Sequence, residues 1–472
     1  GTQVPEAIGR PDATRPMLFN SYPFLLVFLP AALAIQALAE RCWPRLRLQT
    51  LHALSFLFYG YWDWRFVPLM AASIIVNFIV IQVFAARCPP FLIPVAIAAN
   101  LAVLGLFKYA GFFAALANTA FGAGLPEPRF ALPLGISFFT FHHVMYLADL
   151  KAKKAPLYDL TRYGLYIAFF PQVLSGPLVR WSEVMHQFEL RAFGAGWQER
   201  FGRGLLLVAL GLAKKTLLGD GLASYANPIF GLAAQGAPLT VMQAWEGVLA
   251  FTFQIYFDFS GYTDMALGVA QMLGIALPQN FDIPYRATSL SDFWRRWHMT
   301  LSRFLRDYLY IPLGGNRHGL ARQLLALFVT MALGGLWHGA ALTFIAWGIL
   351  HGIGLCAGLL WRRAGLSLPP VIGFAFTFTF VTLAWVLFRA PSFAVAGRLY
   401  AIMAGAAPLG EVLKWRLLVP AALMAMLGPT AYAISRRIRP SRSLALALAL
   451  GFVLLLLKLG DEQNFEFIYF QF

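Results

Sequence analysis

Residues 334–352 read GGLWHGAALTFIAWGILHG. The run is apolar enough to lie in a membrane, yet it holds His338 and ends on His351. A transmembrane helix needs roughly 20 predominantly apolar residues. A histidine placed in such a run loses hydration that a partner or a cavity must replace. The stretch therefore argues for a membrane fold and for a polar event inside it. The rest of the chain agrees with the first point. Of its 472 residues, 59% are hydrophobic and 12% charged, against about 25% charged in a typical soluble domain. Apolar runs recur from end to end, and no long polar segment remains to build a soluble domain. The expected class is an all-α, polytopic integral membrane protein.

The apolar runs fall at about 22–40, 50–64, 66–86, 91–107, 109–122, 131–149, 162–176, 201–219, 241–257, 262–276, 320–337, 339–361, 371–388, 416–434 and 443–459. Several are short or broken by Pro and Gly, as in re-entrant or paired half-helices. About 11 to 13 true spans are expected on length grounds. No internal repeat is evident, which argues against a repeat-built transporter. Residues 1–16 are polar and lack the apolar core of a signal peptide. They are read as an extension before a start at Met17, with 17–472 as one membrane domain. Clusters of Arg and Lys after residues 40, 150 and 361 and before the last run place those loops in the cytoplasm. On that orientation His338 faces the outer side. The net charge of +16 then reflects cytoplasmic loops and anionic lipid rather than nucleic acid. Cys42, Cys88 and Cys356 are scattered without metal spacing.

The longest polar interruption is QNFDIPYRATSLSDFWRRWHMTLSRFLRDYLYIPLGGNRHG, 279–319. Ser289 and Asp292 form a helix-start pattern. From there Phe293, Trp297, Leu301, Phe304 and Tyr308 share one helical face, with Arg295, Arg296, Arg303, Arg306 and Asp307 opposite. This predicts one amphipathic helix on the cytoplasmic interface, ended by Pro312 and Gly314–Gly315. His298 sits at the border of the two faces. The arginine face reads equally as a stripe for lipid phosphates or as a platform for an anionic donor. His338 suits general-base work, because neutral imidazole takes a proton near pH 7; the alternative is a histidine satisfied by a helix neighbour. Asp258, Tyr262 and Asp264, in QIYFDFSGYTDMALG, form a second polar cluster. Its carboxylates are functional candidates or partners of an arginine from the 291–310 helix. His142 and His143 are adjacent and point to different faces, so they make no joint metal site. No metal ligand set and no nucleotide or hydrolase motif appears in its proper context.

Taken together, 280–317 and 332–352 resemble the motifs of the membrane-bound O-acyltransferase family. MLFNSYPFLLVFLP (17–30), FFPQVLSGPLVRW (169–181), IYFDFSGYTDMALG (255–268) and FIYFQF (467–472) extend the resemblance over nearly the whole chain. It is closest to the branch that O-acetylates alginate. The resemblance implies a ring of tilted helices, with re-entrant and interfacial helices, around a central tunnel. It implies that His338 and His298 are the catalytic positions. Trp294, Arg295, Arg296, Trp297, Arg303, Asn316, Trp337, Asp258, Tyr262 and Asp264 become candidates for donor binding or the tunnel. It implies acetyl transfer from a cytoplasmic donor, acetyl-CoA or another acyl thioester, with no tightly bound cofactor. The acceptor would be an exported polysaccharide such as alginate at the bacterial inner membrane. The implied partners are a periplasmic acetyltransferase of the SGNH-hydrolase type, a polysaccharide synthesis and secretion complex, and membrane lipids. Alternatives keep the chemistry with cellulose, peptidoglycan, teichoic acid or lipid as acceptor, or make the protein a transporter or scaffold. One departure stands out: His142 occupies a position where that branch commonly has Gln.

Overall fold

The computed structural model describes residues 17–128, 130–174, 176–411, 415–438, 441–461 and 468, and the regular structure among them is entirely helical. The 1–16 extension and all of the 467–472 tail but Ile468 lie outside the described residues. The chain begins with α1 (Leu29–Cys42), α2 (Arg47–Asp63), α3 (Val67–Arg87), α4 (Leu92–Phe121) and α5 (Ile136–Lys151). Its middle holds α6 (Leu160–Ala168), the single turns α7 (Phe170–Val173) and α8 (Trp181–Val184), then α9 (Trp197–Ala213), α10 (Gly221–Gln235), α11 (Val241–Met272), α12 (Leu290–Arg296) and α13 (Met299–Leu305). It closes with α14 (Gly319–His338), α15 (Leu342–Arg363), α16 (Pro370–Arg389), α17 (Phe393–Met403), α18 (Trp415–Leu427), α19 (Ala431–Arg437) and α20 (Arg442–Asp461).

The core is organised on α11. Its start is fixed by a capping box, in which Thr240 Oγ1 accepts from Gln243 N–H and Gln243 Oε1 accepts from Thr240 N–H. From Ala250 to Ala270 every residue is buried, under α9, α10, α16, α17 and α18. Glycine sets the closest approach. A Cβ on Gly204 would meet Gly268 O at 2.6 Å, and one on Gly211 would meet Gly261 O at 2.5 Å. The two pairs, each spaced by seven residues, let α9 and α11 touch backbone to backbone, as small residues do between membrane helices.

Six helical segments among the described residues are long and apolar enough to cross a membrane: Pro23–Cys42, Pro44–Arg87, Leu92–Phe121, Gly319–His338, Leu342–Arg363 and Pro370–Arg389. A seventh arises if α18 and α19, bent by 60°, form one span. The sequence count of about 11 to 13 is not reached by this measure. The runs 91–107 and 109–122 fuse into α4, and 241–257 and 262–276 fuse into α11. Helix α11 carries Asp258 and Asp264 among its buried residues; wrapped in protein, it need not be apolar. The run 162–176 divides between α6 and α7, and 201–219 passes into a π-helical turn at Lys214–Asp220.

Candidate active site

The predicted amphipathic helix is not continuous. Ser289 caps α12 as expected, accepting from Asp292 N–H at 3.1 Å. The helix then breaks, because Trp297 is extended and His298 is left-handed (φ 42°, ψ 54°). A non-glycine residue there is strained and persists only where its surroundings hold it. Asn280 does so: its carbonyl accepts from Met299 N–H at 2.9 Å, and its side-chain oxygen accepts from Thr300 N–H and Oγ1–H. His298 Nδ1 lies 3.1 Å from that same oxygen. Since Thr300 N–H can only donate, the atom is an acceptor, and His298 Nδ1 must carry the proton. The network thus fixes the tautomer with the lone pair on Nε2. The break drops His298, 0% exposed, into the protein instead of leaving it at an interface.

Opposite it stands the α14–α15 hairpin. A Cβ on Gly335 would meet Phe344 O, and one on Gly348 would meet Met331 O, each at 2.3 Å. This close packing buries His338, the last residue of α14, and His351 on α15. The sequence reading put the two catalytic candidates on different sides of the membrane. The structure brings both against Trp337, whose ring centroid is 4.9 Å from His338 and 6.2 Å from His298. His338 also packs on Trp347 at 5.1 Å, and Trp347 on His351 at 4.7 Å. Trp294 Nε1–H donates to His351 Nδ1 at 3.2 Å, which places the proton of a neutral His351 on Nε2. That Nε2–H, Trp337 Nε1–H and Trp347 Nε1–H are buried with no hydrogen-bond partner among the described residues. Buried donors are rarely left so, and each costs about 1–3 kcal/mol. Trp337 and Trp347 pack directly on His338, and His351 packs on Trp347.

Beside this cluster opens a groove of about 540 Å³, lined deep by Trp294, Thr330 and Met331 and at its rim by Arg295, Arg303, Arg306 and Arg362. The arginines differ. Arg303 pairs with Glu183 at 2.7 Å and Arg306 with Asp307 at 2.7 Å. Burial pushes the Asp307 carboxyl up, but Arg306 and Arg180 more than offset it and hold it below the ordinary range. Arg295 is 72% exposed and reaches Asp292 only at 3.9 Å, and Arg362 makes no ion pair among the described residues. Those two retain the most capacity for an anion. Arg296 faces away, bound to Asp292 and Asp282. Trp297 is buried against Trp385 at 5.0 Å, and Asn316 lies exposed in the turn before α14, outside the groove.

The second polar cluster is separate, and its partner is not an arginine of 291–310. Asp264 pairs with Lys214 at 2.7 Å, and Asp258 pairs with Lys215 at 2.9 Å. Tyr262 stacks on Phe19 at 4.8 Å. His142 Nε2 accepts from Val179 N–H at 3.3 Å, while His143 meets Tyr163 and Ser73. No group of three metal-ligating side chains occurs among the described residues.

Residues 131–388 match the model of MBOAT, the membrane-bound O-acyltransferase family. The chain belongs to the membrane-bound O-acyltransferase family. A probable alginate O-acetylase of Pseudomonas putida is 39% identical over 404 residues, covering 82% of this chain and 80% of that protein. A peptidoglycan O-acetyltransferase of Helicobacter pylori is 36% identical over 415 residues, covering 79% and 77%. A teichoic acid D-alanyltransferase of Bacillus subtilis is 27% identical over 282 residues, covering 55% and 69%. The protein is a multi-pass O-acetyltransferase.

Two residues that brace this O-acetyltransferase's candidate site escaped sequence reading. Lys108 and Tyr109, in the middle of α4, reach the C-terminal end of α14. Lys108 Nζ donates to Trp337 O and, at 3.4 Å, to His338 O; Tyr109 Oη donates to Leu336 O at 2.9 Å. They occupy carbonyls that a helix end leaves unpaired, and a cation suits that negative end. A lone lysine in LFKYAGF was the available signal: an intramembrane charge is a functional candidate by default. We expect Lys108→Met to lower acetyl transfer about 10- to 100-fold by misplacing His338, with Lys108→Arg recovering most of it. A turnover assay on equal amounts of membrane-inserted protein checks this; loss in both variants alike would mean that the site needs lysine itself, not a cation.

Proposed function

We propose that the protein takes an acetyl group from a cytoplasmic thioester, acetyl-CoA, and delivers it toward hydroxyls of an exported alginate-type polysaccharide at the bacterial inner membrane. The observation that carries this reading is the pair of buried histidines packed against Trp337, next to an arginine-rimmed groove. In the proposed reaction His338 accepts the proton of the attacking hydroxyl. The hydroxyl oxygen bonds to the thioester carbonyl carbon, and the carbonyl oxygen gains negative charge. The partnerless N–H donors of Trp337, Trp347 and His351 answer that charge, as an oxyanion hole does. The C–S bond then breaks and the thiolate takes the proton back from His338. His298, held as the Nε2 base by Asn280, orients the donor carbonyl group's surroundings from the groove side. Arg295 and Arg362 take the donor's phosphates.

The acceptor hydroxyl belongs to the polymer itself or to a periplasmic partner of the SGNH-hydrolase type, within a polysaccharide synthesis complex. Peptidoglycan is the second reading, favoured by the near-equal likeness to the Helicobacter protein. Acetyl-ester analysis of exported polysaccharide and of cell wall from a deletion strain separates them: loss from the polysaccharide supports the first reading, and loss from the wall the second. If neither changes on deletion and complementation, the proposal fails. In proteoliposomes supplied with labelled acetyl-CoA, Arg295→Gln and Arg362→Gln are each expected to raise the donor KM about tenfold, the worth of one charge-assisted contact, with kcat little changed.

A further inference from the structure

Away from the active site, α9, α19 and α20 meet at a corner that the acyl-transfer reading does not use. Two cavities adjoin there, and Arg203 lines both. One, about 340 Å³, is mixed: Arg203 and Arg436 line it with Gln271, Tyr432 and Ser435 on its polar side, and leucines of α9 and α11 on the other. The other, about 380 Å³, is an apolar groove between Leu205, Leu206 and Ala209 of α9 and Leu448, Phe452 and Val453 of α20. Arg203 is held in place by Glu199 at 2.8 Å and by Ser435 O at 2.6 Å. Arg436 lies over the Tyr432 ring at 5.8 Å and makes no ion pair among the described residues. Arg437 and Arg442 follow close by in the chain, both exposed. The corner is thus cationic at one end and greasy at the other, with an arginine at the junction.

We propose that this corner binds one anionic phospholipid, its phosphate between Arg203 and Arg436 and its acyl chains in the groove between α9 and α20. The shape fits an amphiphile: a free anion would leave the apolar groove unused, and a neutral hydrocarbon would leave Arg436 without a counter-charge. The charge selects against a zwitterionic lipid: among the described residues lining the two cavities there is no carboxylate for its ammonium group, and Glu199 is already bound to Arg203. The arginine cluster at 436–442 also places the corner on the protein's positively charged side, against the negatively charged leaflet where anionic lipids concentrate.

Native mass spectrometry of the full-length protein, exchanged into micelles carrying phosphatidylglycerol or phosphatidylcholine, tests the site. Wild type should retain at least about fivefold more phosphatidylglycerol, roughly a 1 kcal/mol preference. Arg203→Gln with Arg436→Gln should abolish that preference. Since Arg203 also braces α19, a second variant is needed: Ala449, on α20, lines the apolar groove, and Ala449→Trp fills it, leaves every charge in place and should reduce retention comparably. Arg437→Gln, outside both cavities, should leave retention unchanged. Equal retention of the two lipids would overturn the proposal. So would full retention in Ala449→Trp, or an equal loss in Arg437→Gln, because either would mean diffuse attraction to a positive face. Thermal stabilisation by millimolar inorganic phosphate equal to that by phosphatidylglycerol would assign the corner to a free anion instead.

Discussion

His338→Ala is expected to insert at wild-type level and to lose acetyl transfer by at least about 10³-fold, some 4 kcal/mol of transition-state stabilisation. The structure makes insertion a fair expectation. His338 is the terminal residue of α14, beyond the Gly335–Gly348 contact that holds the hairpin, and α14 is anchored by Lys108 and Tyr109 through backbone carbonyls that any residue supplies. His338→Gln should fail as fully, since an amide keeps hydrogen bonding but takes no proton near neutral pH. The control is His142→Gln. Its ring accepts one backbone N–H from Val179, a bond that the glutamine carbonyl can also make, so activity should stay within a few-fold of wild type. Ester-acetyl content at matched membrane levels of each variant is the measurement. Full activity in His338→Gln would make the histidine structural and remove the general base from the mechanism.

That contrast between histidines shows where the sequence was informative. Apolar runs announced a helical membrane protein because lipid permits few other solutions. The Ser289 cap was legible, being a local hydrogen bond. The break at His298 was not: Phe293, Trp297 and Leu301 keep perfect helical spacing, and the force that unwinds the chain comes from Asn280, 18 residues upstream. Long-range partners were opaque in general. Asp258 and Asp264 looked ready for an arginine of 291–310, but adjacent lysines on the π-helical turn after α9 reach them. Lys108 was visible as an intramembrane charge and was passed over because nothing in its own neighbourhood points to α14.

Those adjacent lysines carry the largest expected effect on stability. Lys215 is 1% exposed and bridges Asp258, 2% exposed, and Asp220, 10% exposed. Asp258 Oδ2 also accepts from Ile468 N–H at 2.8 Å, so Ile468 is tied to the same cluster. The wide turn at Lys214–Asp220 gives the two lysines separate targets, Lys214 on Asp264 and Lys215 on Asp258. Replacing both partners of a buried pair by apolar groups is often neutral, but removing one leaves buried charge uncompensated, at about 3–5 kcal/mol. Lys215→Met removes one cation and strands two carboxylates. Thermal melting of the detergent-solubilised protein should fall by roughly 5–10 °C. The triple variant Lys215→Met, Asp258→Asn, Asp220→Asn should regain much of the loss, because the stranded charges go with the cation. Arg65→Met removes an exposed partner of Asp63 and should leave the melting temperature essentially unchanged, because exposed ion pairs are screened by solvent. If Lys215→Met melted like Arg65→Met, solvent or lipid headgroups would be reaching the cluster, and the junction of α9 and α11 would be wetter than its burial implies.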